Sequence, residues 1–335
     1  MALLQVNSKG IYCPEADVYL DPWRPVARAL ISHGHADHAR WGHKKYICTH
    51  SARPVIEYRL PEAKVSSVAF GEALLINGVR FSFHPAGHVV GSAQIRVEHR
   101  DEVWVFTGDF KTQSDPISED FEPVRCQHLI TECTFGLPVF RWPDHDTLSK
   151  EVNRWWLSCQ EEGVVPLLGV YSLGKAQRVL SMLDPQMGPI LTHGAVENTN
   201  EVLRQQGVDL PPTERVEGRT ITEEQRRGIV LCPPSAMRSS WAKKFRPFRT
   251  AMASGWMASR GNRRRRNMDR GFLISDHADW QGLIDTVDAS GAEEVLTTHG
   301  YSHVFARYLR EEMGVRSREL RTEYGAEEDG GRVEN

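Results

Sequence analysis

Along roughly the first 140 residues, apolar positions fall in short runs broken by Gly, Pro and Asp. Val18–Leu20, Ala29–Ile31, Tyr46–Cys48, Val79–Phe83, Gln94–Val97, Val103–Phe106 and His128–Thr131 have the length and boundaries of strands. Val79 to Phe83 alternates apolar and polar, as a half-exposed strand does. Val103 to Phe106 is apolar throughout, as a strand covered on both faces is. One short helix is expected from Ser51 to Arg59, with Ser51 as its N-cap. The texture changes near Asp144. Leu148, Val152, Trp155, Trp156 and Cys159 recur at helical spacing between Thr147 and Glu162. Val164–Val170, Ile190–Thr192 and Ile229–Leu231 read as buried strands, and Ser172 opens a helix over Gly174 to Leu183. Helices that alternate with strands favour a parallel α/β sheet. Gly271–Ser275 and Glu294–Thr298 then return to the strand pattern of the front half. The reading is one domain split in sequence (1–144 and 266–322), a second α/β domain inserted at 145–265, and a polar tail, 323–335, too poor in apolar residues to order itself.

Charge adds one feature. The 335 residues carry a formal net charge of −3, yet Arg238 to Arg270 holds eleven Lys or Arg and one acid, Asp269. A local basic stripe on a near-neutral chain suggests a polyanionic ligand. Arg263, Arg264, Arg265 and Arg266 taken alone fit a solvated face equally well. The six cysteines (Cys13, Cys48, Cys126, Cys133, Cys159, Cys232) form no CxxC pair and read as reduced thiols. The first ten residues lack a basic stretch leading into an apolar one. No window approaches the roughly 18 apolar residues of a membrane helix. A cytoplasmic protein with no membrane partner is therefore expected.

The chemistry concentrates at strand ends. His33-Gly34-His35-Ala36-Asp37-His38 puts three imidazoles and a carboxylate in one short turn, all first-choice ligands for divalent metals. Alternation sends His33 and His35 to one side; Asp37 and His38 follow, placed to serve a second ion about 3.5–4 Å away. A polar cluster this dense after an apolar strand has no packing rationale. Gly87-His88 with Gly91-Ser92, Thr107-Gly108-Asp109, Glu132, Ser275 to Asp279, and Thr298-His299-Gly300 each end an apolar run. Polar groups at strand ends converge at one sheet edge, where sites form.

With HxHxDH at 33–38, GHxxGS at 87–92 and TGD at 107–109 in order, the chain resembles the metallo-β-lactamase fold family. The insert, His277 and His299 resemble its nucleic-acid-processing β-CASP branch, and within that branch the bacterial ligase-associated DNA exonucleases, relatives of crosslink-repair nucleases. The resemblance covers about residues 10–320. It implies an αββα sandwich with an inserted α/β β-CASP domain that closes over the site. It implies a metal-dependent DNA exonuclease, working 5′-to-3′ from a 5′-phosphate in DNA repair, with two divalent ions, zinc or manganese. By position, His33, His35 and His88 would hold one ion. Asp37, His38 and His299 would hold the other, and Asp109 would bridge. Glu132 would orient His277, the candidate general acid. Asp21 would support the first histidine loop, although Asp-Pro is also an ordinary turn starter. Ser172 and Lys175 at a helix start suit a phosphate, with Ser172 as plain N-cap equally open. Arg260 and Arg263 to Arg266 would track a strand backbone. Trp256 is a stacking platform or a core residue. Single-stranded or end-containing DNA is the expected partner, and the resemblance suggests a ligase or helicase of the same pathway. One departure favours RNA: DNA-cutting eukaryotic members tend to carry an apolar residue where this chain has His299. An RNA-processing nuclease and a small-molecule metallohydrolase are the alternatives.

Overall fold

The computed structural model describes residues 2–258 and 268–322. The chain divides into two units. Of the described residues, the first comprises those up to Ser114, Ser118–Arg141 and 276–322; the second comprises Asp115–Ile117 and the described part of Trp142–Ser275. The inserted unit thus starts three residues before, and ends ten residues after, the bounds read from composition (145 and 265).

The first unit holds two mixed sheets. One runs β1 (Gln5–Asn7), β2 (Gly10–Cys13), β3 (Val18–Leu20), β4 (Ala29–Leu30), β5 (Tyr46–Thr49), β6 (Val65–Val68), in that order. The other contains β7 (Leu74–Ile76), β8 (Val79–Pro85), β9 (Ala93–His99), β10 (Glu102–Phe106), β11 (His128–Glu132), β18 (Glu294–Thr298) and β19 (Arg316–Glu319), in the order β19-β18-β11-β10-β9-β8-β7. Leu20 and Leu30 of the first sheet share a core with Phe81, Ile95, Trp104 and Phe106 of the second. On β10 alternation by two turns Trp104 and Phe106 into that core. Val105 faces the opposite one, with Leu283 of the helix Trp280–Ser290 and Phe305 of the helix Ser302–Glu311. That two-sided burial is why Val103–Phe106 has no polar position. Ile31 and Cys48 pack with Ile56 of α1 (Arg53–Arg59) on the remaining face of the first sheet.

Two local expectations need correction. Ser51 does not cap α1: the helix begins two residues later, with Ala52 at its N-cap and the Ala52 N–H bonded to Thr49 Oγ1 at 3.1 Å. The run entering the histidine turn is a strand only at Ala29–Leu30, because it must leave the sheet to place Ser32 and His33.

The second unit carries a parallel sheet, ordered β14-β13-β15-β12-β16-β17: Glu214–Arg215, Ile190–Thr192, Ile229–Cys232, Val165–Gly169, Phe248–Ala253 and Arg270–Phe272. Its first helix, α2 (His145–Glu161), starts where Asp144 accepts from the Thr147 N–H at 2.7 Å. It buries the predicted stripe Leu148, Val152, Trp155, Trp156 and Cys159. Asp115 and Arg178 form a buried ion pair at 2.8 Å, which ties the short 115–117 segment to this unit.

Candidate metal centre

Four strand ends of the first unit deliver the motif residues. β4 leads into His33 to His38, β10 into Asp109, β11 ends on Glu132, and β18 leads into His299. β10, β11 and β18 run parallel, with Phe106 beside Ile130 and Glu132 beside Thr298, so their C-terminal ends lie at one edge.

His33 Nε2 and His88 Nε2 lie 3.0 and 3.1 Å from His35 Nδ1. Asp109 Oδ2 lies 3.7 Å from His33 Nε2, 3.8 Å from His88 Nε2 and 3.4 Å from His38 Nε2. His38 Nε2 is also 3.6 Å from Asp37 Oδ2, and its ring stacks at 5.9 Å on that of His299. His33, His35, His88 and Asp109 therefore form one ligand-like group. His38 faces the same Asp109 carboxylate, with Asp37 and the His299 ring beside His38.

The outward ring nitrogens are committed elsewhere. His88 Nδ1 faces the Asp276 carbonyl at 2.8 Å, an acceptor only, so Nδ1 donates and Nε2 presents a lone pair. His38 Nδ1 donates to Asp21 at 2.7 Å, which leaves Nε2 aimed at two carboxylates. Burial pulls His33 and His88 well below the usual imidazole range, and neighbouring imidazoles add to it. Burial lowers His299 as well. Burial also opposes charge on His38, but Asp109, Asp37 and Asp21 outweigh it and hold that ring well above its ordinary value. Burial pushes Asp109 up; His38, His277 and His33 outweigh that and hold it well below the carboxylate range. Neutral lone pairs on three sides, and carboxylates facing the buried, hydrogen-bond-free His38 Nε2 on the other, call for a cation. The donor set, imidazole and carboxylate without thiolate, fits zinc or manganese.

Outer contacts shape this group. Asp21, buried at φ 39°, accepts from Ser32 N at 2.7 Å, from Ser32 Oγ and from His38. Ser32 Oγ also meets His33 Nδ1 at 2.9 Å. Arg40 Nε bonds the Asp37 carbonyl at 3.2 Å, and Arg59 bonds that of Gly34. Ser92 Oγ accepts from His88 N and Val89 N at 3.0 and 3.2 Å. Gly91 sits at φ +78°, where a Cβ would fall 2.2 Å from Ala52 N. Glu132, 1% exposed, accepts from Phe110 N at 3.2 Å, Thr134 N at 3.0 Å and His277 Nδ1 at 2.8 Å. It therefore fixes the ring of His277, whose side chain keeps 20% exposure. Ser32, Arg40 and Arg59 escaped sequence reasoning. Ser32 was signalled by its place beside the motif, whereas nothing marked Arg59, 25 residues from the carbonyl it holds.

The residues of the second unit are less uniform. Ser172 is not an N-cap. The six-residue helix α3 (Lys175–Leu180) is capped at Gly174, whose N–H goes to Gln177 Oε1 at 2.7 Å. Lys175 is 5% exposed, with Nζ 4.7 Å over the Tyr171 ring. Trp256 is half-buried in a short turn after β16. Arg260, Arg263, Arg264, Arg265, Arg266 and the tail 323–335 lie outside the described residues. Among the described residues no helix is long and apolar enough to cross a membrane.

No family model matches the chain. It is 32% identical over 307 residues to a probable DNA ligase of Opitutus terrae, covering 91% of this chain and 30% of that protein. It is 32% identical over 126 residues to cleavage and polyadenylation specificity factor 73 of Drosophila melanogaster (36% of this chain, 18% of that one). It is 23% identical over 213 residues to an RNase J-like protein of Methanocaldococcus jannaschii (53% and 50%). The chain thus spans half or less of the length of each of these relatives. A crystal structure of a protein of unknown function from Enterococcus faecalis V583 shares the fold, with a TM-score of 0.58 at 10% identity over 89% of this chain and 79% of that one.

Proposed function

We propose that this chain, which belongs to the β-CASP branch of the metallo-β-lactamase-fold nucleases, is a two-metal phosphodiesterase that trims DNA from a 5′-phosphate end in repair. The observation that carries the reading is the pairing of a His and Asp ligand group with the Glu132–His277 dyad at one sheet edge. The αββα sandwich of the family accounts for the shared core between the two sheets and the helices packed outside them.

His33, His35 and His88 would hold one ion, and Asp37, His38 and His299 the other, with Asp109 between. When bound, such ions supply a nucleophile at neutral pH and neutralise charge on the scissile phosphate. Ser32 and Asp21 hold His33 and His38 in the tautomers that coordination needs. Glu132 accepts the Nδ1 proton of His277, so a protonated ring presents Nε2–H to the departing O3′. On leaving, O3′ takes that proton and His277 becomes neutral. His277→Ala is expected to lower kcat by about 10²–10⁴-fold while the metal content stays that of wild type. The 5′-phosphate preference would draw on Ser172, whose hydroxyl makes no hydrogen bond among the described residues, and on Lys175 nearby. Trp256 is offered as a stacking residue, and Arg260 with Arg263 to Arg266 as backbone contacts. The Opitutus relative, named a probable DNA ligase, supports a DNA substrate and a ligase partner.

RNA is the second reading. It is favoured by His299 beside the second ligand group, and by relatives named for polyadenylation and RNase J. Matched 3′-labelled DNA and RNA oligonucleotides, each with a 5′-phosphate or a 5′-hydroxyl, test both with wild type and Asp37→Ala. DNA shortened stepwise from a 5′-phosphate, only with Asp37 intact, upholds the first reading. Preferential RNA cleavage upholds the second. Equal rates on both 5′ ends remove the phosphate preference.

A further inference from the structure

The segment that leaves the metal-ligand turn carries a feature the chemistry above does not use. Trp41, three residues past His38, is 57% exposed. Gly42, Lys44 and Lys45 beside it are exposed too. From Ala39 to Ile56 the chain holds four Lys or Arg (Arg40, Lys44, Lys45, Arg53) and no acid. Neither Lys44 nor Lys45 makes an ion pair among the described residues.

This segment is rigidly held from below. Arg40 bridges the carbonyls of Asp37 and Trp23, each at 3.2 Å. The Tyr46 hydroxyl donates to Arg40 O at 2.7 Å and accepts from His43 N at 3.1 Å. Lys44 N bonds Val26 O at 3.0 Å. His43 is buried inward, 4.9 Å from the Tyr46 ring. An indole displayed on a fixed backbone loses little entropy when something stacks on it, and two free ammonium groups beside it select for negative charge. A protein partner would need an extended apolar face, whereas this indole is flanked along the chain by Arg40, Lys44 and Lys45. Three residues span at most about 11 Å, so Trp41 lies within about three nucleotide steps of the ligand turn.

We propose that Ala39 to Lys45 is a single-stranded nucleic-acid contact: Trp41 stacks on a base a few nucleotides from the cut, and Lys44 and Lys45 meet the adjoining phosphates. This inference rests on the nuclease reading and adds a binding surface to it.

The test is equilibrium binding of metal-loaded protein to a labelled, cleavage-resistant phosphorothioate oligonucleotide, by fluorescence anisotropy, beside cleavage of the normal oligonucleotide. Trp41→Ala is expected to weaken binding about 5- to 150-fold, and Trp41→Phe to recover most of it. Lys44→Ala with Lys45→Ala should reduce the slope of log K against log salt by about 1.4. Leu75→Ala, at an indifferent apolar position 72% exposed, should bind as wild type. If wild type binds and cuts while Trp41→Ala matches it, the contact is refuted and the nuclease reading stands. If Trp41→Phe loses as much as Trp41→Ala and both melt lower, Trp41 is a packing residue and the proposal falls. If wild type neither binds nor cuts either nucleic acid, the nuclease reading fails and takes this inference with it.

Discussion

Acid should loosen the segment under Trp41 through one histidine, His43. The residue is 7% exposed, and Nδ1 accepts the Val26 N–H at 3.3 Å, so the neutral ring carries its proton on Nε2. Burial is the main reason its pKa falls to about 4; Arg40 pushes the same way and Asp21 opposes. A second proton would have to enter at Nδ1, against the amide that now donates to it. In the unfolded chain the ring titrates near about 6.5. Between those values the unfolded chain binds more protons than the folded one. The stabilisation is therefore complete above about pH 6.5 and shrinks as pH falls toward 4, by about 3 kcal/mol at pH 4. The comparison is urea unfolding of wild type and His43→Asn at about pH 7 and pH 4. Asn keeps an acceptor near the Nδ1 position and takes no proton, and all other titrating groups are shared. Wild type should lose about 3 kcal/mol more than the variant over that range. Parallel profiles would show that His43 is not buried neutral, and the account of this loop's anchoring would fail.

Asp21→Ala removes the acceptor of Ser32 N, Ser32 Oγ and His38 Nδ1, and should weaken metal affinity about 10–100-fold in a competition with a chromogenic chelator. Glu132→Gln should lower kcat with little change in bound metal, and should move the alkaline limb of the pH–rate profile to lower pH, because the general acid His277 loses the charged partner that favours its protonated form. Gly91→Ala should destabilise the fold by more than about 1 kcal/mol, read as a lowered melting temperature, since its Cβ would fall 2.2 Å from Ala52 N at a φ of +78°. Dialysis against a strong chelator should abolish cleavage, and zinc or manganese should restore it; cleavage that survives chelation would sink the metal reading.

The candidate ligands are legible where a short apolar strand and a polar motif abut, because a strand's C-terminal end has few structural uses for three histidines. His33, His35, His88 and Asp109 meet that condition, and they lie together. The Glu132–His277 pair is different. Its members are 145 residues apart, and no local period links them; only the family pattern suggested the pairing. The geometry supplies the physical reason. β11 runs parallel to β10, and Glu132 at its end accepts from Phe110 N in the turn that follows β10; the Phe110 carbonyl in turn accepts from Ala278 N, which sets His277 Nδ1 2.8 Å from Glu132. Helix starts were less legible than strands for a similar reason. Ser51 and Ser172 each look like caps, but Thr49 and Gln177 supply the acceptors, since local side-chain bonds compete among several nearby hydroxyls and amides. Arg59 shows the limit of such reading: a helix-borne guanidinium steadies the Gly34 carbonyl between the candidate ligands His33 and His35, and only the packing of α1 against the first sheet brings it there. The positions of these candidate ligands are thus a local property of strand ends. Their orientation is a tertiary one, and it is the orientation that the Asp21 and Glu132 variants probe.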